Sequence, residues 1–387
     1  MYKPSATYRI QFHKDFKFSD LLPLIPYFEQ LGISTIYASP IFKAMPGSTH
    51  GYDVIDPHQI NPEIGTEAEL LELSQKLKEK GIGWIQDIVP NHMSFVPENL
   101  WLMDVLEKGE SSKFYNFFDI GFVNNLEDQR LMVPFLGEEL PSALRENKLR
   151  LHHVDDKLHI DYQGQLWPIN QKGKDLILDA LEGTQGDEFN LKLEQLSADH
   201  QFLQQLLDVQ YYRLCCYNET SSQINYRRFF TVNSLICMNM DDEKVFETYH
   251  SYINQLVQKG IFQGLRIDHV DGLADPETYL KRLRKLVGDE VYIVVEKILE
   301  RDEAFETRWP VQGTTGYEFL SLANNLLTTR RTESDFDAIY HEQIGKEIDV
   351  KQLAYEKKKE ILFGHMLGEL AHLVELFKEL RLIDQEN

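Results

Sequence analysis

Hydrophobic and polar positions follow two alternating rhythms through the first part of the chain. Thr7-Tyr8-Arg9-Ile10-Gln11-Phe12 alternates with the period of a strand. Leu21, Leu24, Ile25, Phe28 and Leu31 then recur at three- and four-residue spacing, which predicts a helix with one apolar face, closed by Gly32. Ile33 to Ala38 is the next predicted strand. After a polar, glycine-containing loop, Thr66 reads as an N-cap with Glu69 three residues on, a capping-box arrangement. Leu70, Leu71, Leu73 and Leu77 supply the apolar stripe of that helix, and Gly81 ends it. Gly83 to Val89 is a third predicted strand. Strands and helices alternating through short, glycine-terminated turns form parallel βα units, hence a barrel or a doubly wound sheet.

The rhythm then breaks. Residues 93–263 are too long for one crossover and hold clustered aromatics, charges and several short elements, so they are expected to form an inserted subdomain between a first barrel part, 1–92, and its continuation, 264–317. Alternation resumes at Gly264-Leu265-Arg266-Ile267-Asp268, passes through a helix from Tyr279 to Leu286, and returns to a strand at Val291 to Glu296. Residues 318–387, rich in Leu, Glu and Lys at helical spacing, are expected to be a helical C-terminal segment.

Composition narrows the partners. The 40 Lys and Arg against 62 Asp and Glu leave a net charge of −22, which repels nucleic-acid phosphates and anionic membranes. With 42% hydrophobic residues the chain can bury a sizeable core. Its three cysteines, two of them adjacent at Cys215 and Cys216, cannot make a disulfide framework. The first residues carry no apolar signal region and no apolar run reaches membrane-spanning length, so the expected location is cytoplasmic. Phosphate-loop, dinucleotide-fingerprint and zinc motifs are absent, and neither a metal nor an organic cofactor is expected.

Four polar segments follow predicted strands: Gly47 to Asp53, Asp87 to Met93, Arg266 to Gly272, and Val294 to Lys297. In a βα barrel, strand C-termini hold the active site. Arg266 and Asp268 lie two apart and so face the same way on one strand, where the guanidinium favours an ionised carboxylate fit for nucleophilic attack. Glu296 ends an apolar strand, and partial desolvation there would raise its pKa, as a general acid requires. Carboxylates on neighbouring strand ends would sit about 5 Å apart, the spacing of a retaining glycosidase.

Asp87-x-x-x-Asn91-His92, Arg266-x-Asp268 and Glu296 resemble the first three signature regions of the α-amylase superfamily (glycoside hydrolase family 13). Tyr8 to Gln11, Tyr37 to Pro40, Gly47 to Asp53, Asn225 to Phe230, Leu265 to Pro276, Val295 to Leu299, Trp309 and Gly313 to Tyr317 narrow the resemblance to the maltooligosyltrehalose synthases, from about residue 6 to at least 330. The resemblance implies a (β/α)8 barrel of TIM type, here incomplete, with the insertion after the third strand. It implies that Asp268 is the nucleophile, that Glu296 is the acid and then the base, and that Arg266 orients Asp268. His92 would bind sugar hydroxyls where the bond breaks, Asp87 would brace that loop, Asn91 is a substrate-binding candidate beside them, and Tyr52 would form an aromatic platform. His50, Asp53, His269 and Lys297 are further hydroxyl-binding candidates. The implied reaction moves the reducing-end α-1,4 linkage of a maltooligosaccharide to an α,α-1,1 linkage, with a maltooligosyltrehalose trehalohydrolase as pathway partner. A structural calcium occurs in many members of the superfamily, but nothing in this sequence fixes a site for one.

The sequence also departs from the family. Its third carboxylate lies in a His-Asp-Thr-Lys run that does not occur after Glu296, and the chain is short for a member. Two alternatives therefore stay open: another α-glucan transferase or hydrolase on the same scaffold, or a truncated paralogue that binds glucan without turning it over.

Overall fold

The computed structural model describes residues 2–121, 128, 130–181, 183–184 and 186–383. Its central element is a six-stranded parallel sheet of β1 (Thr7–Ile10), β2 (Thr35–Ala38), β3 (Gly83–Ile88), β4 (Gly264–Ile267), β5 (Tyr292–Val295) and β6 (Gly313–Thr314). Each strand pairs with the next in sequence, with no point at which the order reverses. That order belongs to a (β/α)8 barrel; a doubly wound sheet would carry a switch point. With six strands in place, the barrel is incomplete.

The middle of the sheet is buried by apolar packing on both faces, whereas β1 is exposed at Thr7, Tyr8 and Arg9 and β6 is half-buried. Every residue of β3 and β4 is buried, and Trp84 packs between Phe12, Phe18 and Phe262. The helix Glu67–Glu79 has the expected capping box: Thr66 Oγ accepts from the Glu69 N–H, and the Glu69 carboxylate accepts from the Thr66 N–H at 2.7 Å. Leu70, Leu73 and Leu77 of its stripe are buried, whereas Leu71 is exposed.

Three details differ from the sequence pattern. The helix expected across Leu21 to Leu31 is split into Phe18–Leu21, a 3-10 turn at Leu22–Leu24 and Ile25–Gln30. Pro23 and Pro26 each stand near the start of a segment, where the missing N–H does no harm, and together they prevent one continuous helix. Leu24 and Leu31 consequently face solvent. The polar loop before Thr66 contains an antiparallel hairpin, Phe42–Ala44 with Val54–Ile60, and the Gly47 to Asp53 segment is its tip. The sixth strand is only two residues long, too short to leave a periodic signal.

Between β3 and β4 the chain builds separate small sheets. Leu149–Val154, Lys157–Tyr162 and Gln165–Pro168 form an antiparallel meander, and His92–Ser94 pairs with Val232–Cys237, which also pairs with Arg228–Phe229. After β6 come the helices Tyr317–Leu326, Glu333–Ile344, Val350–His365 and Leu367–Glu379, largely exposed. The last docks against residues 220–224, where Gly368 lies so close to Ile224 that an added Cβ would approach it to 3.1 Å. Arg228, nearly fully buried, fixes this contact through Glu369 at 3.0 Å and the His365 carbonyl at 2.9 Å.

Candidate active site

The C-terminal ends of the parallel strands meet at one guanidinium. Register places Arg266 of β4 beside Asp87 of β3 and Val294 of β5. Asp268 and Glu296 each lie just past a strand end, held by backbone bonds from Asp268 N to Ile88 O (2.9 Å) and from Glu296 N to Ile267 O (2.8 Å). Arg266 Nη1 donates to Asp87 Oδ1 at 2.8 Å and to Asp268 Oδ1 at 2.6 Å. Its Nη2 lies 3.1 Å from Glu296 Oε1. The other oxygen of Glu296 accepts from the His269 N–H at 2.9 Å. His269 has φ 48°, a left-handed conformation costly for a residue with a Cβ, and it turns that N–H toward Glu296.

Asp87 is wholly buried beneath the pair. Its Oδ2 accepts from Tyr52 Oη at 2.7 Å and from Tyr37 Oη at 2.9 Å. Burial pushes its pKa up, opposed by Arg266 and the two tyrosine hydroxyls. Burial and the nearby Asp87 carboxylate push both tyrosine hydroxyls up as well, so they remain protonated donors. Asp268 is pushed up to about 7, first by burial, then by Asp87 and Glu296, with Arg266 opposing. Arg266 alone would hold Asp268 ionised at low pH, but it is shared among three acids, and desolvation outweighs it. His92, pushed down to about 4 by burial and by neighbouring His269, is a neutral imidazole. Its Nε2 is 3.2 Å from the Tyr52 carbonyl and its ring packs on Phe229 at 4.8 Å.

These groups line a cleft of about 760 Å³ with Arg9, Tyr37, His50, Phe229 and Tyr317 among its walls. Of the residues expected from sequence, Tyr52, His50, His92, Arg266, Asp268 and Glu296 line it, and Asp87 supports its floor. The ring of His50 stacks on that of Tyr52, centroids 6.0 Å apart. Four candidates are turned elsewhere. Asp53 accepts from Ser48 Oγ at 2.5 Å inside the hairpin tip, and Asn91 faces Arg227 and Cys237. Lys297 pairs with Asp271 at 3.0 Å and Glu303 at 2.7 Å, and the His269 ring packs behind the cleft wall on Phe229 and Phe230.

Arg9, Tyr37, Phe229 and Tyr317 were not among the sequence candidates. Arg9 donates to Tyr52 Oη at 3.2 Å and lies over the Tyr37 ring. The available signal was the strand-end position of Tyr37 and the polar Arg9 in an alternating strand. Among the described residues no group of three or more His, Cys, Asp or Glu side chains is placed to hold a metal.

An incomplete (β/α)8 sheet with one arginine joining acids at the ends of its third, fourth and fifth strands defines the α-amylase class of catalytic domain. Comparison agrees: residues 21–198 match the family model for the alpha amylase catalytic domain. A Mycobacterium tuberculosis (strain H37Rv) protein assigned as a maltooligosyl trehalose synthase is 37% identical over 341 residues, 86% of this chain and 40% of the relative. A solved glycosyltrehalose synthase superposes with TM-score 0.86 at 37% identity over 96% of this chain and 48% of its own. The Arthrobacter ramosus maltooligosyltrehalose synthase does so with TM-score 0.79 at 32% identity, covering 95% and 44% respectively. Over most of its length the chain is similar to maltooligosyltrehalose synthases, and it spans less than half the length of these relatives.

Proposed function

We propose that the chain carries the nucleophile-and-acid portion of an enzyme that converts the reducing-end α-1,4 linkage of a maltooligosaccharide to an α,α-1,1 linkage. Asp268 attacks the anomeric carbon, forming a C1–O bond as the C1–O4 bond breaks, and Glu296 gives its proton to the leaving oxygen. The released glucose turns within the cleft. Its anomeric hydroxyl attacks C1 and returns a proton to Glu296, and the Asp268 ester bond breaks, so configuration is retained. Water must be kept out, because it would take the place of the glucose hydroxyl and yield free sugar. His92, neutral, offers a hydroxyl-binding nitrogen, while Tyr52 and His50 present ring faces to the sugar. Asp87, with Asn91 behind His92, braces the floor. Asp53, His269 and Lys297 act through the loops that carry the lining residues.

The single observation that supports this most is the guanidinium of Arg266 joining Asp268 and Glu296 across adjacent strand ends. On this reading, residues 1–92 and 264–317 form the catalytic barrel part, 93–263 an inserted subdomain and 318–387 a helical segment. The reaction needs no cofactor, takes place in the cytoplasm, and supplies a maltooligosyltrehalose trehalohydrolase. No helix among the described residues is long and apolar enough to cross a membrane.

The test is incubation with maltopentaose. Loss of reducing ends without free glucose is the expected result, abolished by Asp268→Asn. Abundant glucose or redistributed chain lengths would instead assign a hydrolase or transferase. Binding with no product, unchanged in Asp268→Asn, would assign a glucan-binding role.

A further inference from the structure

Loops from four parts of the chain aim oxygens at the half-buried side chain of Arg227. Asp119 Oδ2 accepts from Nε at 2.7 Å and lies 2.6 Å from Nη2. Nη1 donates to the Gly272 carbonyl at 2.7 Å and to Asn91 Oδ1 at 3.2 Å, and Nη2 to the Met238 carbonyl at 3.3 Å. One carboxylate, one amide oxygen and two backbone carbonyls are ligands of the types that a hard divalent cation takes, above all calcium, with water completing its shell of about six to eight oxygens. Without a positive charge at their focus these oxygens would repel one another. We infer that the Arg227 guanidinium is a built-in substitute for a bound calcium ion, tying the loops after β3 and β4 to the intervening segment without any metal.

The tie reaches the catalytic groups on both sides. Asn91 immediately precedes His92, and the Gly272 N–H donates to the His269 carbonyl at 2.9 Å, closing the turn that aims the His269 N–H at Glu296. Packing here is tight: a Cβ on Gly272 would lie 2.2 Å from the His269 ring and 2.6 Å from Asn91 Oδ1. The charge also acts through space, adding to burial in holding His92 and His269 neutral. Arg227 is therefore a positioning residue. A guanidinium donates along fixed in-plane directions, so it sets the angles between these loops as well as their spacing. A structural calcium of the kind many members of the superfamily hold does not fit here, because the oxygens that would ligate it are already engaged by nitrogen donors.

This inference rests on geometry and is independent of which glucan reaction the cleft performs, so it is tested by stability. The parent chain is expected to melt at the same temperature, within about 1 °C, in EDTA and in about 5 mM calcium. Arg227→Ala is expected to melt about 5 °C lower in EDTA, and calcium to restore at least half of that loss, where sodium chloride of equal ionic strength restores none. Arg227→Lys, which keeps the charge, should recover part of the loss without calcium. A parent chain stabilised by calcium would overturn the inference, as would an Arg227→Ala chain that melts like the parent or is indifferent to calcium. Should Arg227→Ala fail to fold in EDTA, refolding from urea with calcium is expected to succeed, and failure there would also overturn it.

Discussion

Replacing Asp268 by asparagine removes a buried charge while keeping the shape of the side chain and an oxygen that can accept from Arg266. Asp268 is pushed from 3.8 up to about 7 by burial, Asp87 and Glu296. At about 1.4 kcal/mol per unit, holding it ionised in the folded chain costs on the order of 4 kcal/mol. The sign follows from linkage. An acid whose folded pKa is raised binds its proton more tightly when folded, so its contribution is complete below pH 4 and is lost as pH rises to about 7. Asparagine has no such loss. The attraction of Arg266 for the ionised form is already contained in that figure, because Arg266 is among the groups that set the Asp268 pKa. Asp268→Asn should therefore be roughly 3–4 kcal/mol more stable than the parent at pH 8, a gap that shrinks to about 1 kcal/mol at pH 4.5. Urea unfolding at the two pH values measures the difference. A variant less stable than the parent at pH 8, or a difference that does not change with pH, would refute the reasoning.

Two further perturbations probe the supports of the site. Arg266→Ala strands the wholly buried Asp87 and should lose about 3–5 kcal/mol at pH 8, with the deficit shrinking on acidification as Asp87 takes up a proton; urea melts across pH check both. Glu369→Ala leaves Arg228 buried among neutral acceptors and should cost about 1–2 kcal/mol, discounted because Glu369 is partly exposed. It should also release Leu367–Glu379 from residues 220–224, seen as faster proteolysis of the C-terminal helices; unchanged cleavage would count against that contact.

Much of the site was legible because its chemistry is local in sequence. Arg266 and Asp268 share a strand face at two-residue spacing, and the apolar run before Glu296 announces a strand end. What escaped depends on contacts between distant segments. Tyr37 reads as one more aromatic in an apolar strand until β3 places Asp87 beneath it. Phe229 and Tyr317 look like core residues until folding leaves their rings at the cleft. Lys297 looked available, but Asp271 and Glu303 converge on it only once the loops close. The displaced titration of Asp268 likewise has no sequence signal. It comes first from burial and then from two acids brought in by neighbouring strands, and one arginine cannot satisfy all three. In the fold, the split of the first helix could have been read from Pro23 and Pro26, whereas the two-residue sixth strand could not have been read from periodicity.

Because Arg266 alone among the described residues joins Asp87, Asp268 and Glu296, the three acids share one counter-charge. Removing any of them releases a share of that charge to the other two. Combined substitutions among these positions should therefore be non-additive, with interaction energies of about 0.5–3 kcal/mol in double-mutant cycles. A residue swap harmless in one background will be costly in another, so this corner of the protein can change in evolution only as a set.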